Sequence, residues 1–157
     1  MFVTIEQKVA KLLISQKKTL AVAESCTGGL LSNRLTDIPG SSNFFQLGLV
    51  VYSDKAKTKF LRIPARIFVL QGAVSNQAAR QMAEGIRRIL ETDFGIGITG
   101  IAGPTGGSPQ KPVGLVFIAI AAHDEILCEK CLFKGSRKRI KSQATTKALQ
   151  LLLKSLM

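Results

Sequence analysis

Ala23-Glu24-Ser25-Cys26-Thr27-Gly28-Gly29 is the first stretch of this 157-residue chain whose residue types and order can do chemistry. The alternation from Thr19 to Ala23 predicts the end of a short strand, and Leu30, Leu31, Arg34 and Leu35 follow at helical spacing. Ser25 therefore stands at the carboxyl end of a strand, facing the first turn of a helix. Free N–H groups of such a turn stabilise negative charge, whether a phosphate or a developing oxyanion.

A serine nucleophile needs a base, and the usual partner is histidine. The only histidine, His123, falls in a predicted hairpin turn far from Ser25 in sequence. That points to a lysine base, which acts only once its pKa has fallen from ~10.4 through burial or neighbouring cations. The segment Tyr52-Ser53-Asp54-Lys55-Ala56-Lys57 offers the setting, at the junction of a predicted strand and a predicted helix. Tyr52 can relay or orient a proton. Spacing alone leaves Lys55 and Lys57 both open. Cys26 is a rival nucleophile, with no histidine nearby to make its thiolate.

A second candidate is the loop Gly100-Ile101-Ala102-Gly103-Pro104-Thr105-Gly106-Gly107, behind a predicted strand. Backbone amides without side-chain cover approach anions closely. Lys111 and Arg137 can add charge, Arg137 by a bidentate contact to phosphate. Gly95, Gly97 and Gly100 also satisfy G-x-G-x-x-G, but the first two alternate with Ile96 and Ile98 inside a strand and no helix follows. A dinucleotide fold is rejected on that ground. Cys128 and Cys131 form a C-x-x-C on a predicted strand, where residues three apart face opposite ways, so a structural role is expected. No metal site is expected.

The elements that must position these residues follow from caps and periodicity. Thr4 with Gln7 reads as a capping box opening a helix to about Lys17. The Ser25 helix runs to about Asp37, and Pro39-Gly40-Ser41-Ser42 turns the chain. Gln46 to Tyr52 is strand-like, Ser53 caps a helix to about Leu61, and an irregular stretch follows. Ser75 caps a strong helix ending near Thr92. Phe94 to Thr99 is a strand, Val113–Ala122 and Glu125–Phe133 form a hairpin, and Ser136 caps a last helix. This order predicts a single α/β domain over 1–157, a three-layer α/β/α arrangement with a mixed β-sheet.

With 46% hydrophobic residues and no low-complexity run, the composition argues against disorder. No apolar run approaches the ~20 residues of a membrane span, and Met1 to Lys17 lacks a signal peptide's apolar region, so a cytoplasmic protein is expected. The net charge of +12 is concentrated in Lys55–Arg66 and Lys130–Lys154 and favours anionic partners. With one Tyr and no Trp, stacking platforms for single strands are scarce.

Over nearly its whole length the sequence resembles the C-terminal domain family of the competence-damage protein CinA, whose stand-alone members are nicotinamide mononucleotide amidases. The resemblance rests on the Ala23–Gly29 block, Gly72-Ala73-Val74-Ser75, Thr99-Gly100-Ile101-Ala102-Gly103-Pro104 and Lys111-Pro112-Val113-Gly114. It implies hydrolysis of nicotinamide mononucleotide to nicotinic acid mononucleotide and ammonia by a Ser/Lys mechanism without metal or cofactor. The family nucleophile falls on Ser25, its tyrosine on Tyr52 and its lysine on Lys57. On that basis amides near Thr27, Gly28 and Gly29 take the oxyanion. Gly100, Ala102, Gly103, Lys111 and Arg137 hold the 5′-phosphate. Two departures stand out: relatives usually carry Gly-Asp-Arg where this chain has Gly135-Ser136-Arg137, and an acidic residue is frequent where it has Lys55. The expected partners are this small-molecule substrate and further copies of the chain, with no membrane. The alternatives are a noncatalytic module binding nucleotides or nucleic acid, or an amidase with another substrate.

Overall fold

The computed structural model describes residues 2–157. The helices are α1 (Ile5–Ser15), α2 (Leu30–Thr36), α3 (Asp54–Leu61), α4 (Ala65–Gln71), α5 (Asn76–Ile89) and α6 (Arg137–Leu156). The strands are β1 (Leu20–Glu24), β2 (Phe45–Val50), β3 (Phe94–Gly100), β4 (Leu115–Ala121) and β5 (Ile126–Leu132). They form one sheet in the order β2-β1-β3-β4-β5. β1 is parallel to β2 and β3, while β4 and β5 join antiparallel. The sheet is mixed and flanked on both faces by helices, as the element order predicts.

The two faces are built from different residues. Leu20, Val22, Ile96, Ile98, Ile118 and Ile120 point to one side and pack against α1, α2 and α6. The other side carries Ala21, Ala23, Gly95, Gly97, Ala119 and Ala121, which the register sets side by side as Ala21–Gly95–Ala121 and Ala23–Gly97–Ala119. This flat strip lets α5, itself lined by Ala78, Ala79 and Ala83, lie close on the sheet. A Cβ at Gly97 would stand 2.4 Å from the Ala79 carbonyl oxygen, and one at Gly95 2.1 Å from that of Ala83. The alternating glycines of the false fingerprint are therefore packing residues.

The caps behave as read. Thr4 and Gln7 form the capping box of α1, and Ser53, Ser75 and Ser136 accept from the third helical N–H of α3, α5 and α6. The irregular stretch after Leu61 is a correction: it contains α4, which begins after Pro64 without a side-chain cap and buries no residue. Cys128 and Cys131 do face opposite ways, Cys128 toward α5 and Cys131 into the α6 side, and neither is bonded to another cysteine. No helix among the described residues is long and apolar enough to cross a membrane.

Candidate active site

The carboxyl ends of the parallel strands β1, β2 and β3 converge, where open α/β sheets bind ligands. Ser25 follows β1 directly, Tyr52 lies just beyond β2, and Gly100 ends β3. A cavity of about 270 Å³ opens there, lined by residues that include Ser25, Cys26, Tyr52, Asp54, Lys57, Thr99, Gly100, Ala102, Gly103 and Arg137.

Ser25 is held by its own backbone, whose N–H donates to the Ile98 carbonyl of β3 at 3.1 Å. This bond continues the β1–β3 ladder by one residue and fixes the serine at the strand end. Lys57 sits on the first turns of α3 and is only 2% exposed. Its Nζ donates to the Tyr52 carbonyl at 3.3 Å and lies 3.9 Å from Asp54 Oδ1. Burial pushes the Lys57 pKa below its ordinary value, against the opposing pull of the Asp54 carboxylate. A neutral amine can donate one N–H to the Tyr52 carbonyl and keep its lone pair for a proton. Lys57 is thus equipped as a general base, and Lys55 on the exposed side of α3 is not.

Tyr52 plays two separate parts. Its carbonyl anchors Lys57, whereas its hydroxyl accepts from Arg137 Nη2 at 3.1 Å. Arg137 Nη1 donates to the Gly103 carbonyl at 2.7 Å, so the guanidinium ties the glycine loop to the Tyr52 ring. Ser136 caps α6, its hydroxyl accepting from the Arg139 N–H at 3.3 Å just ahead of Arg137. Within the glycine loop, the N–H groups of Ala102, Gly103, Thr105 and Gly106 have no intramolecular partner among the described residues. They remain available to a ligand's anionic oxygens.

Three sequence expectations meet a different geometry. Lys111 is absent from the cavity lining, and its ammonium donates instead to the Gln71 carbonyl at the end of α4, where the helix dipole favours a cation. The Gly28 N–H is spent on the Ser25 carbonyl at 3.0 Å, closing a turn with Gly28 and Gly29 at φ of 59° and 98°. Thr27, Gly28 and Gly29 do not line the cavity either. Cys26 does line it, and its N–H makes no backbone hydrogen bond among the described residues. The Cys26 thiol itself is pushed up to about 11, chiefly by burial, and stays protonated at neutral pH.

Glu24, which sequence reasoning missed, organises the turn. Its fully buried carboxylate accepts from Thr27 Oγ1 at 2.6 Å, Leu31 N at 2.9 Å, and Ser32 N and Oγ at 3.0 and 2.8 Å. The N-terminus of α2 is therefore neutralised from within, and an incoming anion has to look elsewhere. Ala73, Val74, Thr105 and Gly106 are further lining residues. Thr99 Oγ1 donates to the Ala73 carbonyl at 2.7 Å and binds the Gly72–Ser75 segment to the end of β3. Of that segment, Ser75 was legible as a helix cap and Gly72–Val74 only as part of a block of family resemblance.

A family model described as the CinA C-terminal domain matches residues 3–156. A CinA-like protein of Syntrophus aciditrophicus is 55% identical over 95% of the chain, which covers 36% of that relative. A protein of Moorella thermoacetica, named as competence-damage inducible, is 51% identical over 98% of the chain and 37% of its own length. The chain thus spans little more than a third of these relatives. A crystal structure of a competence-damaged protein (CinA) superfamily protein from Klebsiella pneumoniae superposes with a TM-score of 0.94 at 33% identity, covering 97% of this chain and 95% of that one.

Proposed function

The chain belongs to the CinA C-terminal domain family, and from that premise we propose that it hydrolyses the carboxamide of nicotinamide mononucleotide. The products are nicotinic acid mononucleotide and ammonia. The observation that carries this reading is the placement of Ser25 and a buried, pKa-depressed Lys57 on one cavity. A buried lysine without a full ion pair is costly, and catalytic bases are a common reason for keeping one.

In the first step Lys57 Nζ takes the Ser25 hydroxyl proton as Oγ bonds to the carboxamide carbon. The C=O π pair moves onto oxygen, and the Cys26 N–H is assigned to stabilise that oxyanion. The resulting ammonium then returns its proton to the leaving nitrogen, ammonia departs, and water hydrolyses the acyl-serine with Lys57 again as base. The glycine-loop amides and Arg137 hold the phosphate, and that remote binding places the amide against Ser25.

Ammonia release from nicotinamide mononucleotide tests the reading directly. Wild type is expected to be active, and Ser25→Ala and Lys57→Ala to lose about 10³-fold or more in kcat. A folded Ser25→Ala protein with unchanged turnover would overturn it. The net charge of +12 also suits a noncatalytic role on nucleic acid. In that case DNA binding would lose several decades of affinity between low and moderate salt, and ammonia would not form.

A further inference from the structure

We propose that Asp54 is the third member of a Ser25–Lys57–Asp54 relay, a positioning residue whose carboxylate stabilises the ammonium formed when Lys57 takes the serine proton. The inference rests on the amidase reading above for its chemistry, and on three observations for its geometry. Asp54 lines the same cavity as Ser25 and Lys57. Its Oδ1 lies 3.9 Å from Lys57 Nζ, three residues away on one face of α3. It is also the sole carboxylate paired with Lys57 among the described residues.

The surroundings explain why such a group is useful. Desolvation of Lys57 makes the neutral amine available, but the same desolvation weakens it as a base, because its protonated form is disfavoured too. A carboxylate at salt-bridge distance restores proton affinity without closing off the lone pair, since the contact is long and the Tyr52 carbonyl takes the nearer N–H. Asp54 thus does for lysine what the buried aspartate does for histidine in a serine triad. Other groups line the same cavity from the remaining elements. Cys26 comes from the β1–α2 turn as a neutral thiol, and Arg137 comes from α6 across the cavity with the opposite sign. Ala73 and Val74, before α5, and Thr99 of β3 bring no charge. On α3 itself Lys55 is exposed. Asp54 is therefore the group that favours the ammonium most strongly.

Half-exposed, with 56% of its side chain accessible, Asp54 acts through a partly screened field. The decisive experiment is the pH profile of ammonia release for wild type, Asp54→Asn and Asp54→Glu at low and high ionic strength. It is run beside NMR titration of the Lys57 amine in each protein. Asparagine is expected to move the rising limb of kcat/KM to lower pH and to lower the plateau several-fold, a weaker base that is free sooner. Glutamate is expected to restore both. High salt should move the wild-type limb in the same direction and leave the Asn variant nearly unchanged. A plateau loss in Asp54→Asn with an unmoved limb and an unmoved amine titration would reduce Asp54 to a helix residue and overturn the relay. The amine titration separates the two readings: absence of ammonia from wild type sinks the amidase, whereas a Lys57 titration indifferent to Asp54 sinks this inference alone.

Discussion

Lys57 Nζ is anchored to the backbone carbonyl of Tyr52 at 3.3 Å, while the hydroxyl of the same tyrosine is taken by Arg137 at 3.1 Å. The residue that bridges Lys57 and the Arg137–glycine-loop side therefore does so with two different atoms. Its carbonyl is supplied by any amino acid at this position, and only the hydroxyl depends on tyrosine. A proton relay through the ring would require the phenol to reach Lys57 or Ser25, and its observed partner is the guanidinium instead.

Tyr52→Phe separates these roles. It keeps the carbonyl anchor and removes one hydrogen bond to Arg137, a loss of about 0.5–1.5 kcal/mol. We expect KM for the mononucleotide to rise roughly 2- to 10-fold, with kcat nearly unchanged. Steady-state kinetics of ammonia release checks this. A fall of several decades in kcat at constant KM would restore the phenol to the proton path.

Glu24→Ala tests the buried carboxylate that shapes the Ser25 turn. It removes the acceptor of four hydrogen bonds and leaves the Leu31 and Ser32 N–H groups and two hydroxyls facing a void. Unsatisfied buried donors are costly, and the expected destabilisation is about 3 kcal/mol or more, read from the urea midpoint at constant m-value. Activity of the surviving folded fraction should fall as well, because Thr27 and the start of α2 hold the turn on which Ser25 and Cys26 sit.

Glu24 also marks where sequence reasoning ends. Strands, capped helices and the serine turn were legible because each writes a local signal: Thr4 with Gln7, and Ser53, Ser75 and Ser136 before helical runs. α4 was not, since it is a seven-residue helix that starts after Pro64 without a side-chain cap and only half-buries Ile67 and Phe68, while Val69 and Leu70 stay exposed. The partners of Glu24, Lys111 and the Tyr52 hydroxyl were equally hidden. Glu24 meets Leu31 and Ser32 of α2 seven and eight residues on, Lys111 meets a carbonyl forty positions away, and Tyr52 meets Arg137 at a separation of 85. The small-residue strip Ala21–Gly95–Ala121 was visible as composition but acquires meaning only through strand order.

Lys57→Met asks what the buried base costs the fold. Burial lowers the Lys57 pKa in the native state, whereas the unfolded chain keeps it near ~10.4. Between the depressed native value and ~10.4 the unfolded state binds more protons, so wild-type stability rises with pH across that window. Below the window both states are protonated and the native state carries the full desolvation cost. Methionine fills similar space without a charge, so the variant is expected to be more stable than wild type at neutral pH, on the order of 1 kcal/mol. The advantage should shrink as pH climbs toward ~10.4, because the native wild-type amine is then neutral and no longer carries the desolvation cost of a buried charge. Denaturant titrations of the two proteins from pH 6 to 10 check the sign. A difference that stays flat, or a variant less stable at neutral pH, would mean that Lys57 contributes to the fold through its Tyr52 and Asp54 contacts more than burial takes away. Loss of all turnover together with a gain in stability is the expected signature of a residue kept for chemistry.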